Sequence, residues 1–243
     1  MENVIFDPVF SQIVCKWEPI LAHCPLFLDI APEEWPGLFS CLGARLHRYD
    51  RGEMPLVEGQ PLDRFGLVLS GEVEVAQEDA AGNRHIIGRI LPGELYGETL
   101  ACAGGMHSPV TVTAVSPSEI LDIDYSRLAS PCGKMCARHT SIIRNLLRIL
   151  ADKNLLLTRK MDVLTRKTIR ARVASYLLAE MRRAGYFEFS IPFDRNGLAE
   201  YLACDRSALS RELSRLRGDG FLDYGKNRFS VLDAPALAEA ASI

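Results

Sequence analysis

Residues 194–213, DRNGLAEYLACDRSALSREL, constrain the fold more than any other stretch, because they read as two short helices joined by a two-residue turn. Asp194 can cap the first helix, its carboxylate accepting backbone N–H groups of the opening turn. Leu198, Ala199 and Leu202 then share a buried side. After Ala203-Cys204, Asp205 stands as a second N-cap, and Leu209, Leu213 and Leu216 follow at i, i+4 and i+7. That stripe leaves Arg206, Ser207, Ser210 and Arg211 projecting the other way. A helix-turn-helix has this layout, and its exposed row suits a DNA major groove. A guanidinium can donate twice to guanine, while serines permit close approach. An ordinary amphipathic helix pair with a solvated basic face is the alternative that spacing leaves open.

Two short runs around a Gly-Lys-Asn-Arg turn follow at residues 221–232 and read as a β-hairpin, or wing. Lys226 and Arg228 would meet phosphates there, adding affinity without sequence preference. The net charge of −3 conceals a bias: residues 165–243 carry 13 Lys and Arg against 10 Asp and Glu, and the preceding residues 15 against 21. Positive charge gathers at the end with the helix-turn-helix.

Ahead of it, the pattern changes twice. Val14, Trp17, Ile20 and Leu21 are helically spaced, and Pro32 opens another turn. From Arg45 onward come short strands: 46–49, 55–57, 65–69, 72–75, 85–91, 110–114 and 119–123, with a turn at 79–83. Glycine-cornered strands of this length predict an antiparallel barrel or jelly roll, hence an α+β protein. From about Lys134 the period is helical again. Ile142, Ile149, Leu156 and Val163 are seven apart, as are Ile143, Leu150, Leu157 and Leu164. Two apolar series allow one face to pack on the barrel and the other on a second copy, as in a coiled coil. One wide stripe buried within a single chain also fits, and Lys153 and Lys160 interrupt a strict zipper. Thr165 is the expected cap of the next helix, which makes residues 161–165 the expected hinge, and residues 187–191 a strand leading to the helix-turn-helix. The expected domains are residues 1–132 (sensing), 133–164 (dimerisation helix and hinge) and 165–243 (DNA-binding).

Composition narrows the rest. With 243 residues and 48% hydrophobic content the chain can bury two modest cores. The one apolar region near the start, residues 15–28, is broken by Lys16, Glu18, His23 and two prolines, so no membrane span or leader is expected and the location expected is the cytoplasm. Seven cysteines, an odd number and scattered, predict reduced thiols. Paired carboxylates, a nucleophile elbow, a P-loop and metal-dense motifs are all lacking, which argues against an enzyme.

The order barrel, long helix, hinge and winged helix-turn-helix, with VLSGEVEV at 68–75, LPGELYGE at 91–98 and CDRSALSREL at 204–213, resembles the CRP/FNR family of bacterial transcription regulators over about residues 20–235. The resemblance implies an effector-binding barrel, a homodimer seam along the long helices, and reading heads that the effector repositions on double-stranded DNA. It also implies RNA polymerase as a partner. Arg206, Ser207 and Arg211 fall on the family's base-contacting positions and Arg195 on a backbone-contacting one. Where cyclic-AMP and oxygen-responsive members carry glutamate, this chain has Ser207, which implies a different half-site. Gly97-Glu98 matches the family's sugar-contacting pair. The phosphate-binding Arg-Ser pair has become His107-Ser108 or Ser108-Pro109, which argues against cyclic AMP for want of a bidentate guanidinium.

Cys15, Cys24 and Cys41 are too widely spaced for an iron–sulfur cluster. Cys132 and Cys136, one turn apart, could form half a zinc site or a redox pair but lack a partner motif. Cys102, Met106 and His107 could ligate haem, although a lone loop histidine is more often plain surface. What remains is an apolar or anionic organic effector, expected near Gly97, Glu98, His107, Ser108 and Asn154, or no effector at all. A ligand-binding module that controls a protein partner is the competing function.

Overall fold

The computed structural model describes residues 8–78, 84–104, 107–130 and 137–242. In chain order the elements are α1 (Pro8–Leu21), α2 (Trp35–Cys41), β1 (Arg45–Tyr49), β2 (Arg64–Ser70), β3 (Val73–Glu78), β4 (Arg84–Ile90), β5 (Leu95–Tyr96), α3 (Glu98–Ala103), β6 (Thr111–Ala114), β7 (Ser118–Asp124) and α4 (Tyr125–Ala129). Then come α5 (Ala137–Leu164), α6 (Ile169–Ala184), β8 (Glu188–Ser190), α7 (Arg195–Tyr201), α8 (Arg206–Gly218), β9 (Leu222–Gly225), β10 (Arg228–Val231) and α9 (Ala234–Ala240). The chain divides into two compact units, Met1–Ala151 and Asp152–Ile243, with the division inside α5. Among the described residues no helix is long and apolar enough to cross a membrane.

The first unit holds two antiparallel sheets, ordered β1-β7-β2-β5 and β4-β3-β6, as expected for a jelly roll. Its central strand β2 is buried on both faces: Phe65, Leu67, Val68 and Leu69 are at most 1% exposed. Trp35, Leu38 and Phe39 of α2 join that core, with the Phe27 ring edge-on to Phe39 at 5.6 Å. α5 docks through Ile142 and Leu146 and through buried Asn145, whose Nδ2 donates to Leu26 O (3.0 Å) and Leu28 O (2.6 Å). Residues 55–57 are not a strand: Leu56 makes only an isolated bridge to Val112, beside a proline with no N–H to donate. The expected turn at residues 79–83 lies outside the described residues.

The second unit packs α6, α7, α8 and α9 with a three-stranded sheet, β8-β10-β9, around Leu177, Leu198, Leu202, Leu209, Leu213, Leu216, Leu222 and Leu237, all fully buried. Thr165 does not cap α6. The apolar period of α5 runs on to Val163, which is buried in this second core, so the helix continues to Leu164 and the Thr165 hydroxyl donates back to Asp162 O (3.1 Å). Thr168 is the cap: its backbone is extended and its Oγ1 accepts from Ala171 N at 3.0 Å. The break between helices is therefore residues 165–168, not 161–165.

Gly66 of β2 faces Tyr96 across the strand pair, and a Cβ there would lie 2.3 Å from the ring. Gly66→Ala is expected to destabilise the first unit by about 1–3 kcal/mol, because a core this closely packed cannot yield. Gly88→Ala, on β4 with no heavy atom within 4 Å, is expected to stay within about 1 kcal/mol of the parent in the same thermal melts.

Candidate nucleic-acid interface and effector site

Asp194 caps α7 as expected, with Oδ1 accepting from Gly197 N at 2.7 Å. The helix ends by bonding Ala203 N to Glu200 O (3.1 Å) and Cys204 N to Ala199 O (3.0 Å). This pair of bonds is a Schellman ending, and it places Ala203 at φ +48°, where glycine is the usual occupant. Asp205 occupies the N-cap of α8 with extended backbone, but its carboxylate accepts no capping bond. Along α8, Leu209, Leu213 and Leu216 are fully buried, Arg206, Ser207 and Arg211 are exposed and Ser210 is half-buried. The outward row expected from the spacing is thus presented.

The wing turns at Lys226 and Asn227, with Lys226 at φ +55°. Asn227 ties it to the lead-in of α7 twice: Nδ2 donates to Ile191 O (3.2 Å), and its carbonyl accepts from Ile191 N (2.9 Å). Between them lies a cavity of about 560 Å³ lined by Arg195, Asn196, Arg206, Lys226 and Asn227, among others. It brings together one cation from each of α7, α8 and the wing. Arg228 is elsewhere. It belongs to β10, paired with Gly225 and Ser190, and lines a separate cavity of about 410 Å³ beside Glu188 and Asp223.

Tyr224 gave no signal in the sequence beyond its place in a strand, yet it organises the cations. Its ring has Arg195 at 5.0 Å and Arg217 at 4.8 Å, stacks on Phe229 at 5.9 Å, and its hydroxyl meets Ser214 Oγ at 3.4 Å. Each such cation–π contact contributes about 0.5–1 kcal/mol at exposed sites.

At the expected effector site, Gly97 has φ +79° and precedes α3, and a Cβ on it would stand 3.4 Å from Leu62. Glu98 opens α3, is 2% exposed, and accepts from Thr99 Oγ1 at 3.2 Å. Burial, reinforced by the Glu98 charge, pushes the Cys102 thiol above its ordinary value. Ser108 is buried, but its hydroxyl is engaged by its own loop, donating to Val110 O (2.7 Å) and accepting from Val110 N (3.2 Å). His107 is exposed and bridges Pro61. Asn154 belongs to the second unit, exposed on α5, where its Oδ1 accepts from Thr158. Met106, Cys132 and Cys136 lie outside the described residues. Cys15 and Cys41 are exposed, whereas burial lifts the Cys24 thiol to about 11.

Residues 46–133 match the cyclic nucleotide-binding domain family and residues 171–240 the Crp-like helix-turn-helix domain family. The chain is 30% identical over 220 residues to the cyclic AMP receptor protein of Thermus thermophilus, covering 89% of this chain and 96% of that protein. It belongs to the CRP/FNR family of transcription regulators. The transcriptional activator protein anr of Pseudomonas aeruginosa is 25% identical over 249 residues, covering 99% of this chain and 98% of the relative. Among solved structures, the catabolite activator protein of Thermus thermophilus aligns with TM-score 0.50 and 27% identity over 90% of this chain and 98% of that one. As in the CRP/FNR family, an antiparallel sheet domain, a long helix and a C-terminal helix-turn-helix follow one another here.

A left-handed alanine costs about 1–2 kcal/mol, part of which glycine gives back through the entropy of the unfolded chain. Ala203→Gly is accordingly expected to stabilise the second unit by about 0.5–1 kcal/mol in denaturant titration.

Proposed function

We propose that the chain acts as a homodimer that reads a palindromic operator through α8 and is gated by a small-molecule effector. The outward row of α8 carries the reading: Arg206, Ser207, Ser210 and Arg211 face away from three fully buried leucines. Arg206 and Arg211 would donate to base edges, Ser207 and Ser210 would line the approach, and Arg195, Lys226 and Arg228 would meet phosphates. The family membership supports a transcription regulator in which residues 1–132 sense, 133–164 dimerise and 165–243 bind DNA. RNA polymerase is the further partner we infer, and the cytoplasm the location.

The dimer is supported by α5. Residues 151–162 are all exposed, and they include Leu155 (53%), Leu156 (62%), Leu157 (64%) and Met161 (64%). Such a bare apolar strip on a helix matches a second copy of itself. Two-fold symmetry would relate the two α8 helices, matching the symmetry of a palindromic operator whose half-sites lie one DNA turn apart.

The effector we infer lies by Gly97, Glu98 and Ser108. Ser108 spends its hydroxyl on Val110, and His107 is exposed, so neither replaces the guanidinium implied by the resemblance for a cyclic phosphate. These observations support an apolar or anionic organic effector other than cyclic AMP, with Glu98 as the proposed contact.

Against an operator selected from random duplexes, Arg206→Ala and Arg211→Ala should each weaken binding roughly 10-fold and relax preference at one base pair, whereas Lys226→Ala should lower the salt slope by about one at unchanged preference. Undiminished operator binding by both arginine variants would remove the base-reading assignment. Leu156→Glu with Leu157→Glu should halve the mass seen by native mass spectrometry, because two buried charges oppose each seam. A double variant that remains dimeric would place the seam elsewhere.

A further inference from the structure

The break at residues 165–168 separates α5 from the reading head, and one side chain spans it. Arg172, half-buried on the first turn of α6, donates from Nε to Arg166 O at 3.0 Å. Its Nη1 donates to Leu202 O at 3.2 Å and Ala203 O at 3.1 Å. The first carbonyl belongs to the break. The other two end α7, where a helix has carbonyls without intrahelical partners and a partial negative charge that favours a cation. They also frame Ala203, the residue held at φ +48°, so the guanidinium bonds the strained point of the helix-turn-helix. Lys160, near the end of α5, adds a second tie by standing 5.4 Å from the ring of Tyr201, next to Leu202.

We propose that Arg172 is a positioning residue that transmits the setting of the hinge to the recognition helix. A guanidinium is planar and its donors are fixed in a rigid fork, so Nε and Nη1 cannot be re-aimed independently. Moving the Arg166 carbonyl therefore either breaks the hinge bond or tilts the plane that holds Leu202 and Ala203. α8 begins at Arg206, just past that turn, and a displaced turn re-aims Arg206 and Ser207 first. An ammonium cannot do this, because its donors radiate from one atom and cannot hold two separated backbone sites in fixed relation. The proposal rests on the reading of DNA by α8.

A double-mutant cycle on the full-length protein tests it, with affinity for the selected operator read by fluorescence anisotropy over a range of salt. Thr168→Ala loosens the hinge by removing the bond to Ala171 N, and should weaken the operator complex roughly 5-fold when Arg172 is present. In an Arg172→Gln background the same change should cost less than about 2-fold, and equally so in Arg172→Lys, which retains the charge. Each Arg172 variant alone should lose roughly 10-fold with the salt slope unchanged, since no phosphate contact has gone. Additive effects in both backgrounds overturn the proposal, because a merely structural arginine would lower stability and affinity independently of the hinge. A salt slope reduced by about one also overturns it, making Arg172 a phosphate contact. Arg206→Ala leaves the clamp intact: if it too leaves the operator complex unweakened, the reading by α8 has failed, whereas its loss with an additive cycle sinks the clamp alone.

Discussion

Leu209, Leu213 and Leu216 bury one side of α8, and the chemistry of the second unit follows from that burial. Each fully buried leucine is worth about 2 kcal/mol, whereas crowding among exposed arginines costs under about 1 kcal/mol for each pair. The apolar stripe therefore decides which way the helix faces, and Arg206, Ser207 and Arg211 are presented as a consequence. Rotation by one residue would bring Ser210, Ser214 and Arg217 toward the core in place of the leucines, and burying an unpaired guanidinium is far costlier than exposing it. The Asp194 cap and the Schellman turn at Ala203 set the start of α8, and Tyr224 steadies Arg195 beside it.

α5 divides its length between two tasks. Its first half is committed to the first core through Ile142, Leu146 and the two hydrogen bonds of Asn145, whose Oδ1 finds no partner among the described residues. An asparagine in that position fixes register, since shifting the helix would strand its amide and two loop carbonyls in an apolar setting. The second half buries nothing until Val163. Leu155, Leu156, Leu157 and Met161 stay exposed along this length, and the change from buried to exposed side chains occurs where the two compact units divide.

In the first unit, sequence spacing and geometry part at Ser108. Gly97 is a left-handed glycine opening α3, and the Glu98 carboxylate behind it is buried. Ser108 matches by spacing, but its hydroxyl closes its own turn through Val110. A hydroxyl already used in both directions has little left to offer a ligand, and that engagement arises only when the loop folds.

Strands, long helix, helix-turn-helix and wing were legible in the residues alone, because apolar periods of two and of about 3.6 are properties of neighbours along the chain. The Asp194 cap and the inward leucines belong to the same local class. Only the folded structure decided that Thr168 and not Thr165 starts α6: Thr165 still bonds back to Met161 and Asp162 as the end of α5, while the Thr168 hydroxyl accepts from Ala171 N. It also decided that Lys226 joins Arg195 and Arg206 while Arg228 does not, and that Tyr224 lies between two arginines. The bond from Arg172 to Leu202, between residues 30 apart, is of the same kind. Contacts of that sort depend on how separate helices and strands are stacked, and no periodicity in the sequence records the distance between side chains that meet only after folding.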